Sequence, residues 1–246
     1  MKYTAADLQT RYEEMTASIK CWCQFTSELV GGVPADEKAL LAFAEHHLGI
    51  ASPEEREKAV QRILKEEVGE REVTPEAGEV QEKVIYGVNV IRRSDGLSPW
   101  IGDWMLKAGI KQAASRANIF MKIRGSKGNF AEVGQVRAID YSLKEKDHPE
   151  RIYIVSADSA EPARTSFREF MGRIQSPQGA KSITHHSECA EPGSRFAFEF
   201  RFVAGEVKAK NIEEILATLG VIGTGSGRSL ERGKYQIEKA EVDGLK

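Results

Sequence analysis

A glycine-rich stretch near the C-terminus carries the residues best suited to bind an anion. Residues 220–234 contain glycines at positions 220, 223, 225, 227 and 233, together with three cations, Arg228, Arg232 and Lys234. Glycine reaches positive φ at little cost and lets a ligand or another part of the backbone approach closely. The stretch therefore predicts either an anion-binding loop or a tight crossover between two elements.

Two adjacent histidines are the strongest candidates for acid–base chemistry. His185 and His186 lie in a stretch with strand character, where neighbouring side chains point to opposite faces, so only one of them can serve a given site. Such an imidazole could act as the general base of a metal-independent RNA cleavage by activating a 2′-hydroxyl. The alternative is that both are exposed or hydrogen-bonded strand histidines without a catalytic role.

No pattern in the sequence indicates a metal or a cofactor. His46 and His47 are not joined by carboxylates at metal-ligand spacing, and three cysteines without a CxxC pair are typical of buried thiols. The glycine-rich stretch is not a P-loop, because the position of that motif's first glycine is Ile222. It also follows a helical pattern and precedes a strand pattern, the reverse of a nucleotide-binding loop. We therefore predict no cofactor and no metal.

The charge distribution separates an acidic N-terminal third from a basic central block. Residues 1–82 have 9 Lys+Arg and 17 Asp+Glu, a net charge of −8, whereas residues 83–128 have 9 and 2, a net charge of +7. The basic block predicts contact with a polyanion such as nucleic acid, or else a solvated face that pairs with the acidic third. Its candidate cations are Lys107, Lys111, Arg116, Lys122, Arg124 and Lys127.

The composition is that of a soluble globular chain. Its 246 residues are 41% hydrophobic and 29% charged, and they are enough for one large or two small domains. No apolar run approaches the length of a membrane span, and the N-terminus lacks the apolar core of a signal peptide. We therefore expect a cytoplasmic protein with no membrane partner.

The N-terminal third predicts a strand followed by helices. Side chains alternate over residues 19–25, which predicts a half-buried first strand with its apolar odd-numbered residues facing inward. Two helical patterns follow, the first beginning at Asp36. We interpret residues 35–82 as an acidic helical insertion, and residues 1–34 and 83–246 as the main domain.

The basic block contains a strand pattern and a helical pattern. Residues 84–91 are rich in β-branched side chains and predict a strand in which Gly87 marks a bulge. Residues 98–114 predict a helix whose positive N-terminal end is a further potential phosphate site. Ile101, Met105, Ala108 and Gln112 share one stripe of this helix, with Trp104 and Leu106 beside it. The small Ala108 and Gly109 predict close packing of the helix on a sheet.

Strand patterns continue in the second half of the chain. Residues 133–141 and 151–155 predict strands, and residues 156–180, with two prolines, predict a loop region. Residues 182–189 and 195–203 predict a β-hairpin, whose second strand places four phenylalanines on one face. Such a stripe is typical of a core rather than of a base-stacking platform, because the helical pattern that follows can cover it.

The last two predicted elements, a helix and a strand, complete the order of elements from which the fold is predicted. A helix is predicted from Asn211 to Gly220, and a strand from Tyr235. The order of all elements predicts an α+β fold, with a ferredoxin-like (RRM-like) βαββαβ core, a helical insertion after the first strand and a β-hairpin excursion.

At three places the sequence resembles the RAMP superfamily of CRISPR-associated repeat-binding proteins, in particular their backbone subunits. The first strand ends in Ser27-Glu-Leu-Val-Gly-Gly32, and that family tends to show a hydrophobic pair before Gly-Gly. Residues 98–111, Ser-Pro-Trp-Ile-Gly-Asp-Trp-Met-Leu-Lys-Ala-Gly-Ile-Lys, resemble the family's Pro- and Lys-containing helix. Residues 223–233 resemble its C-terminal glycine-rich loop. Similar plans also occur in phage proteins.

The resemblance implies a non-catalytic protein that binds single-stranded RNA or DNA. Subunits would assemble side by side along the strand, as a homo-oligomer or filament, or as part of a hetero-complex. The residues that correspond to the family's phosphate-contacting elements are Lys107, Lys111, Gly223, Gly225, Gly227 and Arg228. The charge pattern adds Arg116, Lys122, Arg124, Lys127, Arg232 and Lys234.

Three alternatives to simple binding stay open. Some members of this family cleave RNA with an aspartate in the loop after the first strand, and Asp36 occupies the comparable loop, where it is also placed to cap a helix. A metal-independent endoribonuclease would use His185 or His186. An interaction protein would act through the acidic helices of residues 35–82.

Overall fold

The structure, a computed structural model, describes most of the chain. The described residues are 4–35, 37–46, 49–68, 85–94, 97–117, 120–123, 126–129, 134–176, 179–204, 207–225 and 231–245. Four candidate residues, Asp36, Arg124, Gly227 and Arg228, lie outside them.

The described residues form both helices and strands, which confirms an α+β fold. The helices are α1 (Ala5–Met15), α2 (Glu37–His46), α3 (Pro53–Ile63), α4 (Asp103–Arg116) and α5 (Ala209–Ile222), with a π-helical turn at Leu64–Val68 and a 3₁₀ turn at Asp140–Ser142. The strands are β1 (Thr16–Phe25), β2 (Leu29–Val30), β3 (Val33–Pro34), β4 (Ile85–Val90), β5 (Arg92–Arg93), β6 (Pro99–Gly102), β7 (Phe120–Ile123), β8 (Ser126–Asn129), β9 (Gln135–Ala138), β10 (Arg151–Tyr153), β11 (Thr165–Ser176), β12 (Gly179–Ala190), β13 (Arg195–Val203) and β14 (Tyr235–Asp243). None of the described helices is long and apolar enough to cross a membrane.

A four-stranded antiparallel sheet of order β14-β1-β13-β9 forms the centre of the molecule. Its inner face confirms both predicted stripes: the odd-numbered residues 19–25 of β1 are buried, and the four phenylalanines of β13 are at most 1% exposed. Helices α4 and α5 cover this face and complete the main hydrophobic core. The three cysteines are free and buried, as predicted, and burial raises the pKa of the Cys21 thiol to about 12.

The predicted loop at residues 156–180 holds only for residues 156–164, because residues 165–176 and 179–180 belong to strands. The predicted hairpin at residues 182–203 is correct in its two strands but wrong in their pairing. β11 is a twelve-residue strand that pairs along its whole length with β12. β12 also pairs with β4 in parallel and with β2, whereas β13 pairs with β1 and β9 in the other sheet. Two strand patterns joined by a turn indicate a hairpin only when both strands belong to one sheet, and here the chain passes from one sheet to another at residues 191–194.

The predicted bulge in β4 is confirmed. Thr184 and His186 of β12 pair with Ile85 and Val88, so that β4 has one extra residue in the stretch that contains Gly87. The extra residue shifts the register of the parallel pair at this point.

The predicted stripe of α4 is correct only in its first half. Ile101 is buried and Met105 packs against the core, whereas Ala108 and Gln112 are exposed. The buried residues recur instead with the 3.6-residue period of a helix counted from its true start, at Leu106, Gly109, Ile110, Ala113 and Ala114.

Both predicted ends of α5 are displaced. Lys208 is the N-cap, and Asn211 lies in the first turn, where its Oδ1 accepts the backbone N–H of Lys208 at 3.0 Å. The helix does not end at Gly220 but continues to Ile222. Gly220 serves close packing, since a Cβ there would lie 2.1 Å from the carbonyl oxygen of Tyr235 in β14.

A second hydrophobic cluster lies under α2 and α3. Leu40 and Ala44 of α2 and Val60 of α3 are buried in it together with Val33 of β3 and Val90 of β4. The two helices of the predicted insertion therefore pack on the edge of the β11-β12-β4-β3 sheet.

Candidate nucleic-acid interface

The glycine-rich loop leaves α5 at Gly223 and packs on the turn that follows β1. Gly223 is the C-cap of α5 with φ 73°, a left-handed conformation that terminates the helix. Gly225 lies against Leu29, the first residue of β2, which follows the turn after β1. The loop is therefore a crossover from α5 to β14 that contacts a segment almost 200 residues earlier in the sequence.

Backbone hydrogen bonds fix the second half of this loop. The N–H of Gly233 donates to the carbonyl of Glu28 at 2.8 Å, and the N–H of Thr26 donates to the carbonyl of Lys234 at 2.9 Å. The N–H of Lys234 in turn donates to Ser27 Oγ at 2.9 Å. Arg232 and Lys234 are thus held on the turn after β1.

Glu28 holds two arginines at the surface. Its side chain is 4% exposed, yet it forms ion pairs with Arg232 of the glycine-rich loop and with Arg168 of β11, whose Nε lies 3.0 Å from Glu28 Oε2. The two guanidinium groups are 40% and 53% exposed. One carboxylate between two guanidinium groups leaves a net charge of +1, so the pair can still accept an anion. The sequence predicted Arg232 as a contact, but it carried no signal for Glu28 or Arg168.

An aromatic side chain lies beside this arginine pair. The Phe170 ring stacks on His185 across the β11–β12 pair, with centroids 5.6 Å apart and planes 23° apart. The Arg232 guanidinium carbon lies 5.9 Å from the centroid of the same Phe170 ring. Cation, aromatic ring and imidazole are the side chains that bind phosphate and base in single-stranded nucleic acid.

The two histidines point to opposite faces of β12, as the alternation of a strand requires. His185 is paired with Phe170 and faces the arginine pair, whereas His186 is paired with Glu169 on the other face. Burial lowers the pKa of His185, and the neighbouring His186 lowers it further. His185 is therefore neutral near pH 7 and can accept a proton.

Lys107 and Lys111 lie on the side of helix α4 that faces away from the glycine-rich loop. Gly109 faces α5, where a Cβ would lie 3.7 Å from the carbonyl oxygen of Gly223. Residues two positions apart in a helix are about 200° apart around its axis, so Lys107 and Lys111 project away from the glycine-rich loop. Arg116 lies in the last turn of α4. The structure therefore separates Lys107 and Lys111 from Arg168 and Arg232.

The N-terminal end of α4, which the sequence suggested as a phosphate site, is taken by a carboxylate of the chain itself. Asp103 Oδ1 accepts the backbone N–H of Trp104 at 2.7 Å. Desolvation raises the pKa of Asp103; the Trp104 hydrogen bond lowers it, Glu150 raises it and Lys107 lowers it. Two carboxylates at this helix end disfavour a bound anion.

The basic block is not one surface. Arg93 is buried in an ion pair with Glu188, 2.5 Å away, and Arg92 lies over the rings of Trp100 and Trp104 at 5.8 and 5.0 Å from their centroids. Lys122 and Lys127 are cross-strand partners in the β7–β8 hairpin. Four of the nine cations of the block thus serve packing or lie in a separate hairpin.

Comparisons with known proteins give structural neighbours only. No family model and no curated protein matches the chain. A chain of the Type III-B Cmr-beta complex bound to cognate target RNA, solved by cryo-EM, is similar with a TM-score of 0.45 and 9% identity; the match covers 96% of this chain and 64% of that chain. A chain of a CRISPR RNA-guided surveillance complex has a TM-score of 0.36 and 7% identity, over 92% of this chain and 68% of that chain. Both TM-scores are below 0.5, so we infer the function from the chain's own residues.

Proposed function

We propose that this protein binds single-stranded nucleic acid where the glycine-rich loop, the turn after β1 and the β11–β12 hairpin meet. The observation that carries the proposal is the convergence of Arg168 and Arg232 on buried Glu28, next to the Phe170 ring. The arginines contact backbone phosphates, which supply most of the affinity, and the aromatic ring contacts a base. The glycine-rich loop then contacts a phosphate backbone rather than a bound nucleotide.

We also propose that the central sheet with α4 and α5 is a ferredoxin-like (RRM-like) core. Its support is the chain order β1, α4, β9, β13, α5, β14 together with the antiparallel sheet order β14-β1-β13-β9. Residues 1–34 and 83–246 then form the main domain. Residues 35–82 form the acidic lobe, which the separate hydrophobic cluster under α2 and α3 supports.

Binding along a strand would use more than one copy of the chain. Lys107 and Lys111 of α4 project away from the glycine-rich loop, so a strand that contacts both these lysines and the arginine pair must pass around the molecule or continue on a neighbouring copy. We therefore propose that copies assemble side by side on the nucleic acid, alone or in a hetero-complex. Gly227, Arg228, Lys122, Arg124, Lys127 and Lys234 remain proposed contacts.

Fluorescence anisotropy with labelled oligo(U) and oligo(dT) tests this function. Arg232→Ala and Arg168→Ala should each weaken binding and reduce the slope of log K against log salt by about 0.7, because each removes one phosphate contact to a single strand. The control is Arg62→Ala on α3, an exposed arginine of the acidic lobe, which should leave both quantities unchanged. Binding that does not depend on salt, or that both arginine variants retain in full, would refute the proposed interface. The two oligonucleotides show whether the protein prefers RNA or DNA.

A second candidate function is metal-independent RNA cleavage by His185. The observation that favours it is that this imidazole stacks on the Phe170 ring, which the Arg232 guanidinium also approaches, so that a general base and a cation able to stabilise a developing phosphorane charge lie on one aromatic side chain. Incubation of labelled RNA with EDTA tests it. Cleavage that His185→Ala abolishes and His186→Ala leaves intact would support the activity, whereas intact RNA would dismiss it and leave the binding function standing.

A further inference from the structure

β14 is an edge strand of the central sheet, and one of its two sides has no partner strand. In the described part of the chain, β14 pairs with β1 alone. The register shifts once, between Trp22 and Cys23, and residues 239–243 then pair with β1 without a further break. An unpaired edge presents a row of backbone N–H and C=O groups that another strand can use. The sheet can therefore accept a further strand beside β14.

Apolar side chains line a groove of about 530 Å³ between this edge and α5. On β14, the residues that pair with buried odd-numbered residues of β1 face the core, and their exposure rises from 4% at Tyr235 to 44% at Val242. On α5, Val221 is 63% exposed. The apolar face of the sheet thus continues beyond its last strand. The apolar lining of this edge groove consists of Leu216, Ala217, Val221, Ile237 and Ala240.

The strand that fits the edge groove alternates apolar and basic residues. Its inward side chains meet the apolar lining of the groove, and its outward side chains lie beside the charged residues of β14. Residues 236–243 contain one Lys and three Asp+Glu, a net charge of −2. Glu241 is paired with Lys239 at 2.6 Å, so Glu238 and Asp243 carry the remaining negative charge. Because opposite charges on neighbouring strands stabilise a pair, the outward side chains of a matching strand are cations.

The β7–β8 pair, named here the basic ribbon, has this sequence pattern. β7 reads Phe-Met-Lys-Ile, and residues 120–129 contain three Lys+Arg and no Asp or Glu, a net charge of +3. In the described part of the chain, the two strands pair only with each other. A two-stranded ribbon is marginally stable by itself in water, and a further strand stabilises it. The basic ribbon therefore matches the edge groove in charge, in pattern and in its need for a partner strand.

The basic ribbon and the edge groove belong to opposite edges of the central sheet. The ribbon lies between α4 and β9 in the chain, three residues after α4 and five residues before β9. α4 packs against β9 and α5 packs against β14, and β9 and β14 are the two outermost strands of the sheet. The ribbon is thus attached at the β9 edge, so a neighbouring copy can present its β14 edge to it.

We propose that β7 of one copy of this chain pairs with β14 of a second copy and fills its edge groove. Main-chain hydrogen bonds provide the contact, and the alternating side chains of β7 fix its orientation. The two surfaces differ, so the contact is heterologous and generates a ring or an open filament. The inference rests on the proposed side-by-side assembly, for which it names the contact between copies. Binding of nucleic acid by a single copy does not depend on it.

Sedimentation velocity of the full chain without nucleic acid tests this contact. We expect the weight-average mass of the wild type to rise with protein concentration. Ala217→Arg, which puts a cation into the edge groove, and Ile123→Glu, which puts a carboxylate into β7, should each stay monomeric. An equimolar mixture of the two variants should form a heterodimer and nothing larger, because it contains only one intact groove and one intact β7 for each pair of chains. Circular dichroism checks that both variants are folded.

Two control variants separate this contact from the rest of the molecule. Leu97→Glu changes a side chain that is 70% exposed between β5 and β6, and it should associate like the wild type. Arg232→Ala should also associate like the wild type without nucleic acid, whereas Ala217→Arg should bind a short oligonucleotide as the wild type does. These two results distinguish a failure of the contact between copies from a failure of the nucleic-acid interface. A wild type that stays monomeric at every concentration, single variants that still associate, or a mixture that stays monomeric would overturn the proposal.

Discussion

The structural role of the glycine-rich loop can be tested with a single methyl group at Gly233. This residue has φ 66°, and a Cβ there would lie 1.8 Å from the carbonyl oxygen of Thr224. An L side chain in the left-handed region costs about 1–2 kcal/mol. The clash adds about 1–3 kcal/mol for the forced backbone shift, since main-chain atoms cannot move aside as a flexible side chain can. We therefore expect Gly233→Ala to lower the free energy of unfolding by about 2–5 kcal/mol.

Gly49→Ala is the matched control for this substitution. Gly49 has φ 68°, and no atom lies within 4 Å of the position its Cβ would occupy, so the variant should show only the conformational cost of about 1–2 kcal/mol. Urea denaturation with unchanged m-values measures the two losses, and the difference between them is the energy of the clash. Because Gly233 is next to Arg232, Gly233→Ala should also weaken nucleic-acid binding while Gly49→Ala should not. Equal losses of stability in the two variants would refute the view that the loop is a tightly packed crossover.

Three further substitutions, one of them with a control, have outcomes that follow from the contacts of the side chain that is replaced. Glu188→Gln should destabilise the protein by about 3–5 kcal/mol in urea denaturation, because it leaves Arg93 buried without its partner, whereas Glu45→Gln in the exposed pair with Arg56 should cost at most about 1 kcal/mol. Phe170→Ala should weaken binding of single-stranded nucleic acid by about 1–3 kcal/mol without changing its salt dependence, since stacking carries no charge; a reduced salt slope would contradict this. In the folded state the pKa of His185 is lowered from its ordinary value of 6.5. The unfolded chain therefore binds a proton on this imidazole more tightly than the folded chain does, and the folded state loses stability as the pH falls below 6.5. His185→Gln should flatten that part of the stability curve measured by thermal unfolding, and an unchanged curve would show that the imidazole is not responsible.

Elements with a local signal were predictable from the sequence. The alternation in β1 and the phenylalanine stripe of β13 identified both strands and their buried faces. A half-buried strand shows this pattern in consecutive residues of one segment, so no knowledge of its partner strand is needed. The choice of partner strand was not predictable, since any exposed strand edge can pair with any other. For this reason β12 was joined to β13 in the prediction, while in the structure it pairs with β11.

The candidate site was predictable only in part. Glycines and cations marked the loop that contains Arg232, and strand alternation showed that His185 and His186 face opposite ways. Glu28 carried no signal, because a single acidic residue after a strand is common, and its burial depends on Arg168, which is 140 residues away in sequence. Burial of a charge is a tertiary property, and its compensating partners appear only when distant segments are brought together.

The two long excursions from the central sheet explain why the proposed interface lies where it does. The first leaves at the end of β1, and the second leaves at the end of β9 and returns at the start of β13. The register of the sheet places the end of β1 beside the starts of β13 and β14, since Gln24 pairs with Arg195 and Phe25 with Tyr235. Both excursions and the last crossover are therefore anchored at one end of the sheet. There β3 of the first excursion pairs with β4, and β2 and β4 both pair with β12 of the second excursion. The sheet that results carries Arg168 and Phe170 on its hairpin and holds them against Arg232, so the site depends on all three segments at once. Replacement of the hairpin by a short turn should consequently remove nucleic-acid binding and leave the core of the central sheet folded.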